Sequence, residues 1–487
     1  MKKFKFVIVG GGTAGMIAAS LIKKVYGDYV SVTVVYDHNT PGIGVGESLT
    51  PLIYEYLDIV GIKREDLIKH CNATIKLGIK FKNWLNNNKY FYHAFNQTNE
   101  HEKGFDFEAG YDLSNNQYDG GVSYSRYFFE SNRIPTIGST HSIHFDASLF
   151  GRYIEKRFAN ELTVIDGIVT SIKKYNNNIE FVELKDGRKI EGDFFIDASG
   201  FQYALIRNFE NKWIDKTDWM PLNKCIVQQI PTTHKVLNPY TTAEATSQGW
   251  IFQIPLQNRW GTGYLYSSRF CSDELAKKEY KDFLLDKYKF VLADDPRILK
   301  FNSGYWEKQW IGNCLAIGLA SGFTEPLEAT NIHHTVFQLL RFVFRFQLKV
   351  FKHDINRYNK LINDFYNNLY LYLRFIYNTG RTDSLFWQYT TNNTPQEILD
   401  LSEKIKYDLP NGYSLDGHMF VYNNFMQIAY GLEKTNKESY KRSIEIYSRL
   451  DDARNYAIDT RIEKLNSFKE SLDHLEYIKN IKEYYHG

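Results

Sequence analysis

Six residues near the N-terminus constrain the fold more than any others: Gly10-Gly11-Gly12-Thr13-Ala14-Gly15. They follow a short β-rich apolar run, Phe4 to Val9, and precede Met16 to Val25, whose apolar residues recur at helical spacing. A second strand is expected from Tyr29 to Tyr36. Strand, glycine turn, helix and second strand form a βαβ unit, the opening of a parallel-sheet nucleotide domain. Each patterned glycine has a steric task. Gly10 permits the tight turn, Gly12 lets the backbone approach a pyrophosphate, and Gly15 lets the helix pack closely on the strand. The diphosphate then sits on the positive helix N-terminus. An acid that holds the ribose is expected about 20 residues further on. Asp37 is a candidate, and Tyr36, one place earlier, is its rival for that position.

The chain around this motif has 487 residues, which at ~150 per domain suggests about three domains, or fewer for a large α/β enzyme. Hydrophobic content of 43% with 24% charged residues excludes overall disorder. A formal charge of +2 excludes a strong global claim on nucleic acid. No apolar run approaches the ~18 residues that would span a bilayer. Cys71, Cys225, Cys271 and Cys314 are scattered without a CxxC pair, which argues against a zinc site or a disulfide framework and fits a reducing cytoplasm. The basic start resembles a signal peptide only superficially. Its apolar run stops at the glycines without a small-residue cleavage site, so it is read as the first strand of the mature protein. Aromatic residues make up 16% of the chain. Drift in an AT-rich genome explains that, and so do rings lining a planar ligand site; both readings stand.

Further along, residues 40–51 are expected as loop, 146–158 as helix, and 162–172, 179–184 and 189–195 as strands, the last two joined at Asp186-Gly187. Residues 241–267 read as β, 314–319 as a buried strand, and 335–346, 355–378, 394–406 and 439 onward as helix. No internal repeat is visible, so a solenoid is not expected. Asp193–Gly200 and Asn313–Phe323 each end a strand in a small-residue turn. Flavoproteins whose FAD fold closes over one sheet have return segments of this kind.

Several segments together resemble the flavin-dependent halogenases of the tryptophan-halogenase type. They are the glycine fingerprint with Gly42–Ser48 (GIGVGES), the Thr74–Trp84 segment, Gly249–Pro255 (GWIFQIP), which is similar to a WxWxIP motif, Glu325–Asn331 (EPLEATN), and Arg381–Trp387. The likeness runs to about Trp387. It implies an α/β fold: a Rossmann-like FAD domain of the GR2/monooxygenase type with an inserted β-sheet (1–340), then a mainly helical substrate-capping part (341–487). It places the active-site lysine on Lys76 and the catalytic glutamate on Glu328. It puts a halide on the backbone N–H groups of Thr330 and Asn331, and an aromatic substrate at His93 and Phe95. The expected cofactor set is Gly10, Gly12, Thr13, Ala14, Gly15, Asp37, Val45, Glu47, Val169, Leu319 and Ile332.

The implied reaction uses reduced FAD, O2 and chloride, bromide or iodide to make hypohalous acid, which Lys76 presents to an indole- or phenol-type ring. A separate flavin reductase is the implied protein partner, self-association is open, and neither membrane nor nucleic acid is expected. Two departures stand out. Phe252 replaces the second Trp of WxWxIP, keeping its bulk, and Asn331 replaces a glycine beside the halide, which favours bromide or iodide over chloride. Strand alternation puts Lys76 on one face with Gly78 and Lys80. Taken apart from the family, Lys76 reads as a solvated surface lysine, Glu328 as a helix-entry acid, and His93 and Phe95 as core packing. Lys80 and Lys82 are weaker lysine candidates, and Glu325 reads as structural. Asp146 reads as a helix N-cap, Phe386 is ambiguous, and Trp387 reads as packing. Adjacent His333 and His334 point in different directions from a helix, against a metal site. The rival functions are a single-component FAD aromatic monooxygenase and a non-catalytic flavin-binding protein.

Overall fold

The computed structural model describes residues 2–39, 47–95, 128–135, 141–293, 295–407, 418–447, 455, 466 and 469–484. Two compact units form, each from three stretches of chain: Met1–Ala73, Phe145–Asp218 and Phe301–Tyr366 in the first, Thr74–His144, Trp219–Lys300 and Asn367–Gly487 in the second. The change from strand-rich to helix-rich sequence near residue 340 falls inside the first unit.

The first unit is built on a six-stranded sheet. Phe4–Val9 lies at its centre, between Val30–Tyr36 and Phe194–Asp197, and all three run parallel. Thr163–Asp166 and Cys314–Ala316 extend the sheet in parallel on either side, and Trp310–Ile311 closes one edge antiparallel. Phe6, Val7 and Ile8 are buried together, as a central parallel strand covered on both faces requires. The helix Thr13–Tyr26 buries Gly15 through Ile22. Its approach depends on glycine: a Cβ on Gly15 would lie 1.9 Å from the Gly10 carbonyl oxygen. Gly10 itself has φ +118°, and a Cβ there would lie 2.3 Å from the Ala198 oxygen. Ala198 is held there by its neighbour. The buried Asp197 carboxylate accepts from the backbone N–H groups of Ser199 (3.1 Å), Leu205 (2.7 Å) and Ile206 (2.8 Å), and from the Ser199 hydroxyl (2.6 Å).

The stretch 162–172, expected as one strand, is two. Thr163–Asp166 belongs to the parallel sheet, and after Gly167 the chain enters an antiparallel sheet of Val169–Tyr175, Asn178–Leu184 and Lys189–Glu191. The expected strand 189–195 is likewise divided, at Gly192-Asp193. Glycine breaks both runs while their apolar residues continue, so periodicity alone reads through the break. Short helices at Ile53–Val60 and Arg64–His70 follow the expected loop. Asp146 caps the helix Ala147–Arg157, accepting from Ser148 and Leu149 N–H groups. All four cysteines are buried free thiols.

The second unit is built on a seven-stranded sheet, ordered Ile298–Lys300, Lys224–Pro231, Arg259–Tyr266, Gly249–Leu256, Tyr240–Ala245, Gly78–Lys82 and Tyr90–Ala94. Only Tyr240–Ala245 beside Gly78–Lys82 pairs in parallel. Every residue of Gly249–Leu256 is buried. The charge-rich helix Asp273–Tyr288, not anticipated from sequence, buries only Ala276, Tyr280 and Leu284, against Ile226, Ile251 and Tyr264. The C-terminal part is helical as expected, with Gln396–Ile405, Tyr422–Gly431, Lys437–Tyr447 and His474–Tyr484. No helix among the described residues is long and apolar enough to cross a membrane.

Candidate active site

In the first unit the fingerprint leaves an opening where a phosphate belongs. A Cβ on Gly12 would meet nothing within 4 Å, in contrast to the crowded Gly10 and Gly15. The helix that follows has no side-chain cap and no acid in its first turn. Its first amides are therefore open to an anion, and the residues fit a dinucleotide diphosphate. Thr13 and Ala14 begin that helix. A Cβ on Gly318 would lie 3.1 Å from that of Ala14, so the turn carrying Leu319 abuts the same helix start. Tyr36 ends its strand with its ring over Gly11 and its hydroxyl donating to Glu155 Oε2 at 2.8 Å. The Asp37 carboxylate accepts from the Asn39 N–H at 2.9 Å. Burial, with the Asp146 charge adding to it, pushes the Glu47 carboxyl up to about 7. Val169 packs at the margin of the core around Val7 and Val35. Val45 and most of the Gly42–Ser48 motif lie outside the described residues.

The same unit carries the segment expected to hold halide. Glu325 and Glu328 are both buried, and Thr330 and Asn331 open the helix Thr330–Val343. Ala329 precedes it at φ 56°, ψ 40°, a left-handed conformation costly for a residue with a Cβ. Asn331, by contrast, has ordinary helical backbone, so its replacement of glycine carries no strain. The buried Thr330 Oγ1 has no hydrogen-bond partner among the described residues. Uncapped helix amides beside an unsatisfied hydroxyl suit a small anion. His333 Nδ1 lies 2.7 Å from Thr50 Oγ1 and His334 Nδ1 lies 3.3 Å from the Tyr366 hydroxyl, so the two rings diverge.

Lys76 lies in the second unit, at the end of a three-residue strand, Thr74–Lys76. It pairs antiparallel with Ser142–Phe145, setting Thr74 opposite His144 and Lys76 opposite Ser142. At Leu77 the chain leaves this pairing and enters the seven-stranded sheet, where Lys80 sits opposite Thr242 and Tyr92. The expected continuous face of Lys76, Gly78 and Lys80 is thus interrupted, because one short run serves two sheets. Lys76 is fully buried, with Nζ 4.8 Å from the centroid of the Phe95 ring, a cation–π contact. Its competitors are committed elsewhere: Lys80 lies over the Tyr90 ring at 3.9 Å and Lys82 pairs with Glu244 at 2.6 Å.

A polar chain fixes this strand. Thr74 Oγ1 donates to the Pro255 carbonyl at 2.6 Å. Its only proton is then spent, so His144 Nδ1, 3.0 Å away, is the donor to Thr74. His144 Nε2 is left to accept from the Thr241 hydroxyl at 2.9 Å. Burial holds His144 well below its ordinary pKa, and the Lys76 charge pushes the same way. Pro255 closes the GWIFQIP motif, so that motif meets the strand of Lys76 through its carbonyl on Thr74, two residues before the lysine. Within it, Phe252 already fills the space over Gly263, where a Cβ would come within 2.5 Å of the ring.

His93 is buried, with Asn424 Nδ2 donating to its Nε2 at 3.0 Å and the Tyr372 hydroxyl 3.2 Å from its Nδ1. Tyr372 stacks on Phe420 with centroids 3.7 Å apart. Phe386 and Trp387 are fully buried, and Trp387 Nε1 donates to the Thr246 carbonyl at 2.8 Å. The second unit therefore brings together Lys76 and Phe95, and separately His93 with Tyr372 and Asn424. Sequence reasoning missed His144, Thr241, Tyr372 and Asn424. A histidine inside the fully buried run Ser142–Phe145 was the one signal available.

A family profile described as tryptophan halogenase matches residues 5–446. Tryptophan 7-halogenase RebH from Lentzea aerocolonigenes is 31% identical over 418 residues, covering 79% of this chain and 78% of that protein. Tryptophan 6-halogenase SttH from Streptomyces toxytricini is 30% identical over 449 residues, covering 84% of each. Among solved structures, Tar14, a tryptophan C-6 flavin-dependent halogenase (chlorinase) from taromycin biosynthesis, is similar with a TM-score of 0.90 at 25% identity, over 99% of this chain and 100% of its own.

Two outcomes follow from this geometry. Gly12→Val should leave the melting temperature unchanged, because its side chain enters open space, yet abolish saturable FAD binding by fluorescence titration. Gly15→Ala should instead lose stability. Separately, burial holds His334 down at about 3 and His474 at about 4, below the unfolded value of ~6.5. A depressed histidine pKa favours folding fully above the unfolded pKa and loses that contribution as pH falls. Urea midpoints should therefore hold steady near pH 7 and fall progressively between about pH 6.5 and 4, and His334→Gln should flatten that slope.

Proposed function

The chain belongs to the tryptophan halogenase family, and from that premise we propose that it is a flavin-dependent halogenase acting on an electron-rich aromatic of indole or phenol type. The observation that carries the reading of its chemistry is Lys76, a fully buried amine against the Phe95 ring in a chain of this family. The relatives' names specify tryptophan, which makes free tryptophan or a related indole the first substrate to test.

Reduced FAD with O2 supplies the two-electron oxidation of halide to hypohalous acid. The protein's own residues do the rest. The open backbone at Gly12 and the first amides of its helix bind the diphosphate, and the Thr330 and Asn331 amides hold halide. Lys76 Nζ receives the hypohalous acid and presents its halogen to the ring. Glu328 takes the proton from the ring carbon that has gained halogen; that proton and the departing hydroxide leave as water. His93 and Phe95 are the groups expected to flank the ring. Burial serves this scheme by excluding water from the oxidant. A separate reductase supplies the reduced flavin.

The test is incubation with FAD, a flavin reductase, each halide and an aromatic panel, read by mass spectrometry. Lys76→Ala should lower product on the order of 100-fold or more while flavin oxidation continues at the normal rate. Normal halogenation by Lys76→Ala would overturn the assignment. In competition at equal concentrations, bromide or iodide should be used better than chloride, being less tightly hydrated and easier to oxidise. A clear chloride preference would refute this, and an unchanged ratio in Asn331→Gly would remove Asn331 as the cause.

A further inference from the structure

Among the described residues, the strand bearing Lys76 is paired along one side only. Ile75 and Leu77 turn their backbone polar groups away from Ser142–Phe145, as alternate residues of an antiparallel pair must. A buried outward N–H requires a partner from elsewhere. Leu77 finds one in the Pro239 carbonyl at 2.8 Å, and its own carbonyl takes the Phe95 N–H at 3.0 Å. Ile75 N–H has no strand beside it among the described residues and donates to a side chain, His474 Nε2, at 2.9 Å.

His474 is built to accept that bond. It is fully buried, and its Nδ1 lies 3.1 Å from the Leu237 carbonyl, which can only accept. The proton is therefore on Nδ1, and Nε2 carries the lone pair. The ring is placed by its own segment. Leu472–Asp473 pairs with Arg133–Ile134, the His474 N–H donates to the Asn132 carbonyl at 3.1 Å, and Arg133 Nε donates to Ser471 Oγ at 2.6 Å. Leu237 and Pro239, two residues apart, thus hold both flanks of Lys76: one through His474, the other directly.

We propose that His474 is a positioning residue for Lys76, fixing the edge of its strand so that Nζ and the Phe95 ring keep their mutual geometry. The proposal rests on the reading of Lys76 as the group that delivers halogen. His474 touches no reacting atom in this scheme, and its effect passes through the Ile75 amide.

The test uses full-length protein, chemically reduced FAD, bromide, an indole and O2. Two variants separate the bonds: His474→Phe keeps the ring and removes both, and His474→Gln keeps an acceptor at the reach of Nε2. The readouts are product formed per flavin oxidised and deuterium uptake by the peptide spanning residues 74–77. His474→Phe should exchange faster there and lose coupling toward the ~100-fold that an ångström-scale misplacement can cost, with flavin oxidation unchanged. His474→Gln should restore most of the coupling. Unchanged exchange in His474→Phe overturns the proposal, as does faster exchange with native coupling, or equal loss of flavin oxidation and halogenation. If His474→Phe does not fold, His474→Asn, which can reach Leu237 but not Ile75, carries the same test. Lys76→Ala run alongside tells the two readings apart: normal coupling there overturns the role of Lys76 and any positioning of it, whereas the outcomes above overturn His474 alone.

Discussion

Burying an amine is the constraint on which the second unit's arrangement turns. Lys76 has no exposed surface, and a charge removed from water is costly unless its surroundings compensate. The Phe95 ring face does so in part. The nearby histidine adds to the constraint: His144 must stay neutral, because a second positive charge beside Lys76 would raise the cost. The hydrogen bonds around it enforce one tautomer, with Thr74 and Pro255 directing the proton to Nδ1 and Thr241 serving Nε2. A three-residue strand could not hold a buried lysine by its ladder alone. It is held by side chains and carbonyls drawn from four other parts of the chain.

The first unit solves a different problem, how to bring backbones close enough to leave room for a phosphate. Gly10 and Gly15 are glycine because a Cβ would collide with backbone, while Gly12 is glycine although its surroundings are open. Crowding at two positions and space at the third separate the glycines that fold the turn from the one whose surroundings are left open. Ala329 shows the converse, a residue with a Cβ held at positive φ just before the helix Thr330–Val343. Strain of this kind persists only where the surrounding structure fixes it.

Legibility in the sequence followed the range of the interactions. The glycine turn, the Asp146 cap and the hairpin at Asp186-Gly187 are set by residues a few positions apart, and local chemistry was enough to read them. The roles proposed for Lys76, Glu328 and the Thr330 and Asn331 amides come from family likeness alone, since a lysine in an apolar run reads by itself as a surface residue. The alternation argument around Lys76 failed because the chain changes sheets at Leu77. The ring of His474 could not be read at all: it meets Ile75 across 399 positions, and no periodicity carries information over that distance.

That separation bears on how the molecule comes into being. A ribosome releases the chain from its N-terminus, and contacts between distant residues are the last to be closed. The βαβ unit that would cradle a diphosphate is complete within the first 36 residues, whereas the bond holding the strand of Lys76 waits for residue 474. A nascent or C-terminally clipped chain would thus acquire its nucleotide fingerprint early and a secured lysine late. Such an order sets the anchoring of the Lys76 strand after the nucleotide fingerprint has already formed.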